Sequence, residues 1–292
     1  MLTTTKSENL SVSAFNAYEP PLEVAVDCVR SVIKDNPVRI AFVGRAGAGK
    51  TTTASIIARD DYPLINNADF LKEEVLEWLS SAHNAGFDPE SDESFIHFAD
   101  FMGLSVSRIQ DDMWDLIGPV FGAFTSLYLK SVRDNLDVLR FNQMHLHTNI
   151  PEKVAFVDLH KNLFRQSLQL YGQMSKEIAA DEEYWVQHTL NRSLAYPICF
   201  NCDTRFTSEM ECLRNCGWTG IYLSIDDETQ HKRRPQMTED ERNHISEWSI
   251  SPSDCDYVID STKSLSSVLM NIADYLSNPK SKKKREMKGY IS

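Results

Sequence analysis

Eight consecutive residues, Gly44, Arg45, Ala46, Gly47, Ala48, Gly49, Lys50 and Thr51, have the types and spacing that hold a polyphosphate. The glycines leave backbone N–H groups free to converge on phosphate oxygens. A helix that continues through Thr52 aims its positive dipole end at the same place. The Lys50 ammonium would reach the outer phosphates and the Thr51 hydroxyl would ligate Mg²⁺. The preceding run Val-Arg-Ile-Ala-Phe-Val over 38–43 reads as a buried strand. Strand, glycine loop and helix together form the context that this pattern requires, and they point to a nucleoside triphosphate.

Further charged groups stand where chemistry is expected. Asp203 follows a strand expected over 197–202, and ligands of parallel sheets collect at the carboxyl ends of the strands. There its carboxylate would hold Mg²⁺ through water or bond an acceptor hydroxyl, and Arg205 would neutralise phosphate charge. The plainer reading is a surface turn in which Asp203 caps the next helix. The run His231, Lys232, Arg233, Arg234, followed by His244-Ile245-Ser246-Glu247, is open to two readings as well. It is either a solvated loop or a mobile lid over about 228–250 that brings Arg233 to a transferring phosphoryl group. Cys199, Cys202, Cys212 and Cys216 suggest zinc by spacing, but residues three apart on a strand face opposite ways and two thiolates on a helix do not complete a site. Reduced thiols are the better reading.

These groups need a frame. Pro20 and Pro21 open a helix expected to run to about Lys34. After the glycine loop, the pattern predicts a short strand over 62–66 and a helix over 69–81 in the nucleotide-binding half, with Phe70, Val75, Leu76 and Leu79 on one side. An acidic loop over 88–93 precedes helical stretches whose Met113, Trp114, Leu116, Phe121, Phe124, Leu127 and Tyr128 read as core or as a helical cover. Helices follow over 161–171, 183–194 and 208–216, strands over 220–225 and 256–259, and a last helix over 265–276. Such alternation favours an α/β fold, a three-layer parallel sheet with helices on both faces. The expected organisation is an N-terminal extension and helix (1–36), the first half of the nucleotide core (37–83), a mainly helical insert (84–195), the second half of the core with the lid (196–278), and a basic tail (279–292).

Composition narrows the partners. The 292 residues carry 30 Lys and Arg against 42 Asp and Glu, a net charge of −12, which argues against a broad nucleic-acid-binding face. A small anion in a local basic pocket is compatible with it. No apolar stretch approaches membrane-spanning length and no leader pattern opens the chain, so no membrane partner is expected and the protein reads as soluble and cytoplasmic. The run Lys280, Lys282, Lys283, Lys284, Arg285 reads as a solvated tail, with DNA-backbone contact as the alternative.

Several segments, in order, resemble the bacteriophage deoxynucleoside monophosphate kinases of the P-loop nucleotide kinase group. Besides the glycine loop they are Asp69-Phe70-Leu71-Lys72, the run from Arg165 to Gly172, Glu183-Tyr184-Trp185-Val186, the run from Asp203 to Glu209, His244-Ile245-Ser246-Glu247, and Asp256-Tyr257-Val258-Ile259 with Ser264-Leu265. The resemblance spans about 38–80 and 160–276. It implies a P-loop NTPase fold and transfer of the ATP γ-phosphate, with Mg²⁺, to a deoxynucleoside 5′-monophosphate. By the same resemblance, acceptor contacts fall to Leu71, Lys72, Arg165, Gln169, Gly172, Gln173, Trp185, Asp203, Arg205 and Glu209, and Lys50, Asp203, Arg205 and Arg233 carry catalysis. Thr51 and Asp203 are the expected metal ligands. The expected partner is a small nucleotide, with a homodimer as an option and the host cytoplasm as the location if the protein is phage-encoded. Gln173 stands where many relatives carry Thr, Ser208 where many carry Asn, and residues 84–150 have no counterpart. A hydroxymethylated pyrimidine, free or in DNA, is therefore an alternative acceptor, and a non-kinase ATPase or nucleotide switch is the alternative from another class.

Overall fold

The computed structural model describes residues 19–104, 111–141 and 150–278. The expected lead-in before residue 19, the basic tail from 279, and residues 105–110 and 142–149 of the expected insert lie outside them. The chain divides into two compact units, one formed by the chain up to Leu64 and from Pro197 onwards, the other by Ile65–Tyr196.

In the first unit, α1 (Leu22–Asp35), β1 (Arg39–Val43) and α2 (Lys50–Ala58) precede the break. The helices α3 to α8 of the second unit intervene: α3 (Asn67–Ala85), α4 (Asp92–Phe101), α5 (Asp111–Arg133), α6 (Ile150–Leu159), α7 (Lys161–Ala179) and α8 (Tyr184–Ser193). The first unit then resumes with β2 (Cys199–Asn201), α9 (Thr207–Asn215), β3 (Thr219–Ser224), α10 (Asp227–Arg233), α11 (Glu239–Arg242), β4 (Tyr257–Asp260) and α12 (Leu265–Ser277).

The fold of the first unit is α/β. Its four strands are all parallel in the order β2-β1-β3-β4, with Ile40 opposite Phe200, Phe42 opposite Ile221 and Leu223 opposite Ile259. Four consecutive residues of β1, from Ile40 to Val43, are fully buried, which an alternating one-sided strand would not show. Ile40 and Phe42 join Ile221 and Leu223 in one cluster with Val26 and Val29 of α1, Ile57 of α2, and Leu269 and Ile272 of α12. On the other face α9 lies over β3, where Met210 Cε stands 2.9 Å from the place a Cβ on Gly220 would take. Because every strand is parallel, all four carboxyl ends share one edge, and the chain leaves β1 for β2 on one side while β3 lies on the other. That reversal makes a crevice at the end of β1.

The second unit is helical, and its core is aromatic. Trp78 of α3 is fully buried, edge-on to Phe87, Phe98 and Phe124 at 5.3, 6.2 and 4.7 Å. Phe124 and Leu127 of the expected aromatic series are buried, Met113, Leu116, Phe121 and Tyr128 are half-buried against the same core, and Trp114 is 44% exposed, stacked on Phe95.

Three local expectations need correction. The strand expected over 62–66 is a single parallel bridge from Leu64 to Phe200. Pro63 has no N–H to extend a ladder, and Asn66 is already the N-cap of α3, its N–H bonded to Asp69 Oδ2 at 2.8 Å. The acidic loop over 88–93 ends inside α4, because Ser91 accepts from Glu93 N at 3.1 Å and the carboxylates of Asp92 and Glu93 favour a helix N-terminus. Finally, α3 belongs to the helical unit, not to the nucleotide-binding half, since its buried face of Val75, Leu76, Trp78 and Leu79 packs into the aromatic core.

Candidate functional site

The glycine loop leaves β1 at Val43 and enters α2 at Lys50. Gly44 has φ +132°, and a Cβ there would collide with the carbonyl oxygen of Leu223 on β3. The loop therefore presses against the sheet edge. Gly47 and Gly49 are also left-handed, at φ +84° and +88°. The first turn of α2 leaves Thr51 and Thr52 exposed, and Thr53 N closes onto Gly49 O at 2.8 Å.

Lys50 folds back over this loop. Its Nζ donates to the carbonyls of Gly44 and, at 3.1 Å, Arg45. Burial pulls its pKa from 10.5 down to about 8; Glu247 and Cys202 oppose the fall, and the nearby charges of Arg205 and Arg234 add to it. Arg205 and Arg234 thus act on the same ammonium from the segments after β2 and α10.

The segment after β3 packs onto the loop. Ala46 N donates to Glu247 Oε2 at 2.6 Å, and Ala46 O accepts from Gln230 Nε2 at 3.1 Å. Arg45 turns away from the loop, donating to Asp227 Oδ1 at 2.6 Å and Gln230 Oε1 at 2.5 Å with its guanidinium 4.2 Å from the Trp248 ring. Arg242 is buried and donates to Gln230 Oε1, Arg234 O and Met237 O at 3.3, 2.8 and 3.2 Å. Arg233 donates to Gly47 O at 3.1 Å and to Ser261 O, just past β4, at 2.8 Å, so it braces loop and sheet edge together. Residues 228–250 are accordingly a largely exposed segment of short helices, tied to the loop through Gln230, Arg233 and Glu247.

After β2, the buried Asn201 side chain shapes the turn: its Oδ1 accepts from Asp203 N, Thr204 N and Thr204 Oγ1 at 3.1, 3.1 and 2.8 Å. Asp203 does not cap α9. The N-cap position is Phe206, and the carboxylate that serves the helix start is Glu209, whose Oε2 accepts from Arg205 N at 2.8 Å and Phe206 N at 3.3 Å. Glu209 is buried in that cap, while Asp203 is half-buried and Arg205 exposed.

The remaining expected contacts belong to the helical unit. Lys72 Nζ lies 2.9 Å from Asp158 and 3.9 Å from Asp69. Arg165 and Gln169, one turn apart on α7, are exposed, and Gln173 donates to Glu177 at 2.7 Å. Gly172 lets α7 approach Leu71 of α3, whose Cδ2 is 3.1 Å from the Cβ position, and its carbonyl accepts from Trp185 Nε1 at 3.0 Å. Trp185 is 5% exposed and edge-on to Tyr171, so its ring packs α8 against α7 and offers no open face for a base. Deeper in the unit, Arg192 forks onto both oxygens of Glu73 at 3.2 Å and covers the Phe70 ring at 3.8 Å, and Tyr171 bonds Glu74 at 2.7 Å. Burial pushes the Glu74 carboxyl above the usual range, with the Tyr171 hydrogen bond opposing.

Thr51 and Asp203 are oxygen donors of the hard kind that Mg²⁺ takes. Among the described residues no group of three or more His, Cys, Asp and Glu side chains could hold a metal. A nucleotide-borne Mg²⁺ does not need one, because phosphates and water fill most of its octahedron. The carboxylate bonded to Ala46 N shows that the loop accommodates an anion. Sequence reasoning did not single out Gln230, Arg242, Glu247 and Trp248 as neighbours of the loop; the lid reading of about 228–250 and the resemblance of residues 244–247 were the signals that touched them.

Among the described residues no helix is long and apolar enough to cross a membrane. No family model, curated protein or solved structure matches this chain.

Proposed function

We propose that the chain is an ATP-dependent kinase of deoxynucleoside 5′-monophosphates with a P-loop NTPase core. The observation that carries the reading is the loop between β1 and α2: three left-handed glycines with Gly44 pressed on the sheet edge, a half-buried lysine folded over the loop, and a carboxylate already bonded to a loop N–H. Loop N–H groups and Lys50 hold the triphosphate, and Thr51 and Asp203 hold its Mg²⁺. Bound Mg²⁺ supplies charge neutralisation on the phosphates. Arg205 and Arg233 add positive charge at the same edge as the transferring group gains charge on its equatorial oxygens. Exclusion of water by the part of the lid segment that Gln230 and Arg233 tie to the loop keeps the phosphoryl group for its acceptor.

For the acceptor, Arg165, Gln169, Gln173 and Lys72 are the contacts that the exposed face of α7 and the start of α3 offer, Lys72 exchanging Asp158 for an acceptor phosphate. Leu71, Gly172, Trp185 and Glu209 support these elements by packing and capping. A coupled ADP-release assay with ATP and Mg²⁺ against each deoxynucleoside monophosphate, hydroxymethylated pyrimidine monophosphates, and DNA with and without modified bases tests the reading. Stimulation by a monophosphate is expected. Stimulation by modified DNA alone moves the acceptor to a base in DNA, and release indifferent to every acceptor replaces the kinase with an ATPase or switch.

A further inference from the structure

The Glu247 carboxylate occupies a place that a phosphate oxygen would want. Its bond from Ala46 N is 2.6 Å, short for N–H···O, as expected when the acceptor is charged. The donor lies inside a loop with left-handed Gly44, Gly47 and Gly49, a backbone conformation of the kind that forms anion-binding concavities. The same carboxylate acts on Lys50 through its charge. Lys50 meanwhile bonds the carbonyls of Gly44 and Arg45, the contacts open to an ammonium with no phosphate to reach.

The element that carries Glu247 is a single surface turn. It is Ile245–Glu247, none of whose residues is buried, with Ile245 64% exposed. The residues after it hold it: the Trp248 ring stands 4.2 Å from the Arg45 guanidinium, Trp248 Nε1 donates to Arg242 O at 2.9 Å, and Ser249 O accepts from Thr207 Oγ1 at 2.7 Å. Trp248 is itself 53% exposed, and a denser anion on the loop competes with the Glu247 carboxylate for Ala46 N. A carboxylate offers one charge and two oxygens, whereas a polyphosphate offers several of each to the same N–H groups and to Lys50.

Resting on the reading of the loop as a polyphosphate site, we propose that Glu247 is a tethered competitor. It fills the loop's anion position while no nucleotide is bound, and a triphosphate enters by displacing it, which frees residues 244–248. A competitor built into the chain lowers apparent affinity by the fraction of molecules it occupies. Removing its charge should restore that fraction.

Calorimetric titration of inorganic tripolyphosphate and of Mg-ATP into wild type and Glu247→Gln tests this. Glutamine keeps the shape and one acceptor oxygen of the side chain, so the fold is preserved. The expected result is binding of both ligands roughly three- to tenfold tighter in the variant. Tripolyphosphate should also change Trp248 emission in wild type, read as the difference from Trp248→Phe, and Glu247→Gln should show much of that change before ligand is added. Equal or weaker binding by Glu247→Gln, with wild type binding both ligands, overturns the competitor and leaves the loop reading intact. No binding of either ligand by either protein removes the loop reading and the competitor together.

Discussion

The surroundings of the glycine loop and the interior of the helical unit use their polar side chains differently. In the helical unit two cations pair with carboxylates, Arg192 with Glu73 and Lys72 with Asp158, and the Tyr171 hydroxyl donates to Glu74. In the sheet unit the side chains that surround the glycine loop spend their hydrogen bonds on its backbone. Arg233 bonds Gly47 O, Gln230 bonds Ala46 O, Glu247 takes Ala46 N, and Lys50 bonds Gly44 O. Self-paired charges stabilise a fold locally, and a ligand reaches one only by displacing its partner, as proposed for Lys72 and Asp158. Charges gathered on a backbone loop can exchange that loop's partners for a ligand, and for this reason the chemistry is assigned to the sheet unit.

The sharpest way to break this contrast is Lys50→Met. Phosphoryl transfer should fall by about 10²- to 10³-fold, the loss expected for one preorganised cation, while circular dichroism and the melting temperature hold or improve because a half-buried charge is removed. Arg192→Leu should do the reverse. It strips the buried Glu73 carboxylate of its guanidinium, so the chain should lose about 3 kcal/mol in urea unfolding, with tripolyphosphate affinity unchanged.

The pH response follows from the direction of the Lys50 shift. Its folded pKa is lowered from 10.5 to about 8, so between these values the unfolded chain keeps a proton that the folded chain has released. Stability contributed by this group therefore rises with pH across that window, and below about 8 the penalty of burying the charge is fully present. Polyphosphate affinity should run the other way. It should fall above pH 8 by up to about tenfold per unit, and the fall should disappear in Lys50→Met. The smallest effect is expected at Gly172→Ala. The new methyl meets the flexible end of Leu71, and the gain in helix propensity of roughly 1 kcal/mol offsets the squeeze, so the melting temperature should move little.

Much of the fold was legible because its signals are local. The apolar β-branched run into Gly44, the apolar strand of β3 and the periodic face of α12 need nothing beyond neighbouring residues to be read. The short segment at Leu64 failed because a single bridge carries no periodicity, and Pro63 and Asn66 already belong to other duties. The site divides along the same line. Lys50 and Thr51 lie within the motif itself, whereas Glu247 meets Ala46 across 201 residues and Gln230 meets it across 184. Such contacts leave no trace in spacing. Glu209 and Trp185 show the converse: the resemblance implied a ligand contact, and the structure uses one as a helix cap and the other as packing.

The most direct test of the central claim follows the phosphoryl group itself. ATP labelled at the γ-position is incubated with Mg²⁺ and each deoxynucleoside monophosphate, and the nucleotides are then separated. The account predicts label in a deoxynucleoside diphosphate, absent with Lys50→Met. Label found only in inorganic phosphate, whatever acceptor is present, would contradict it.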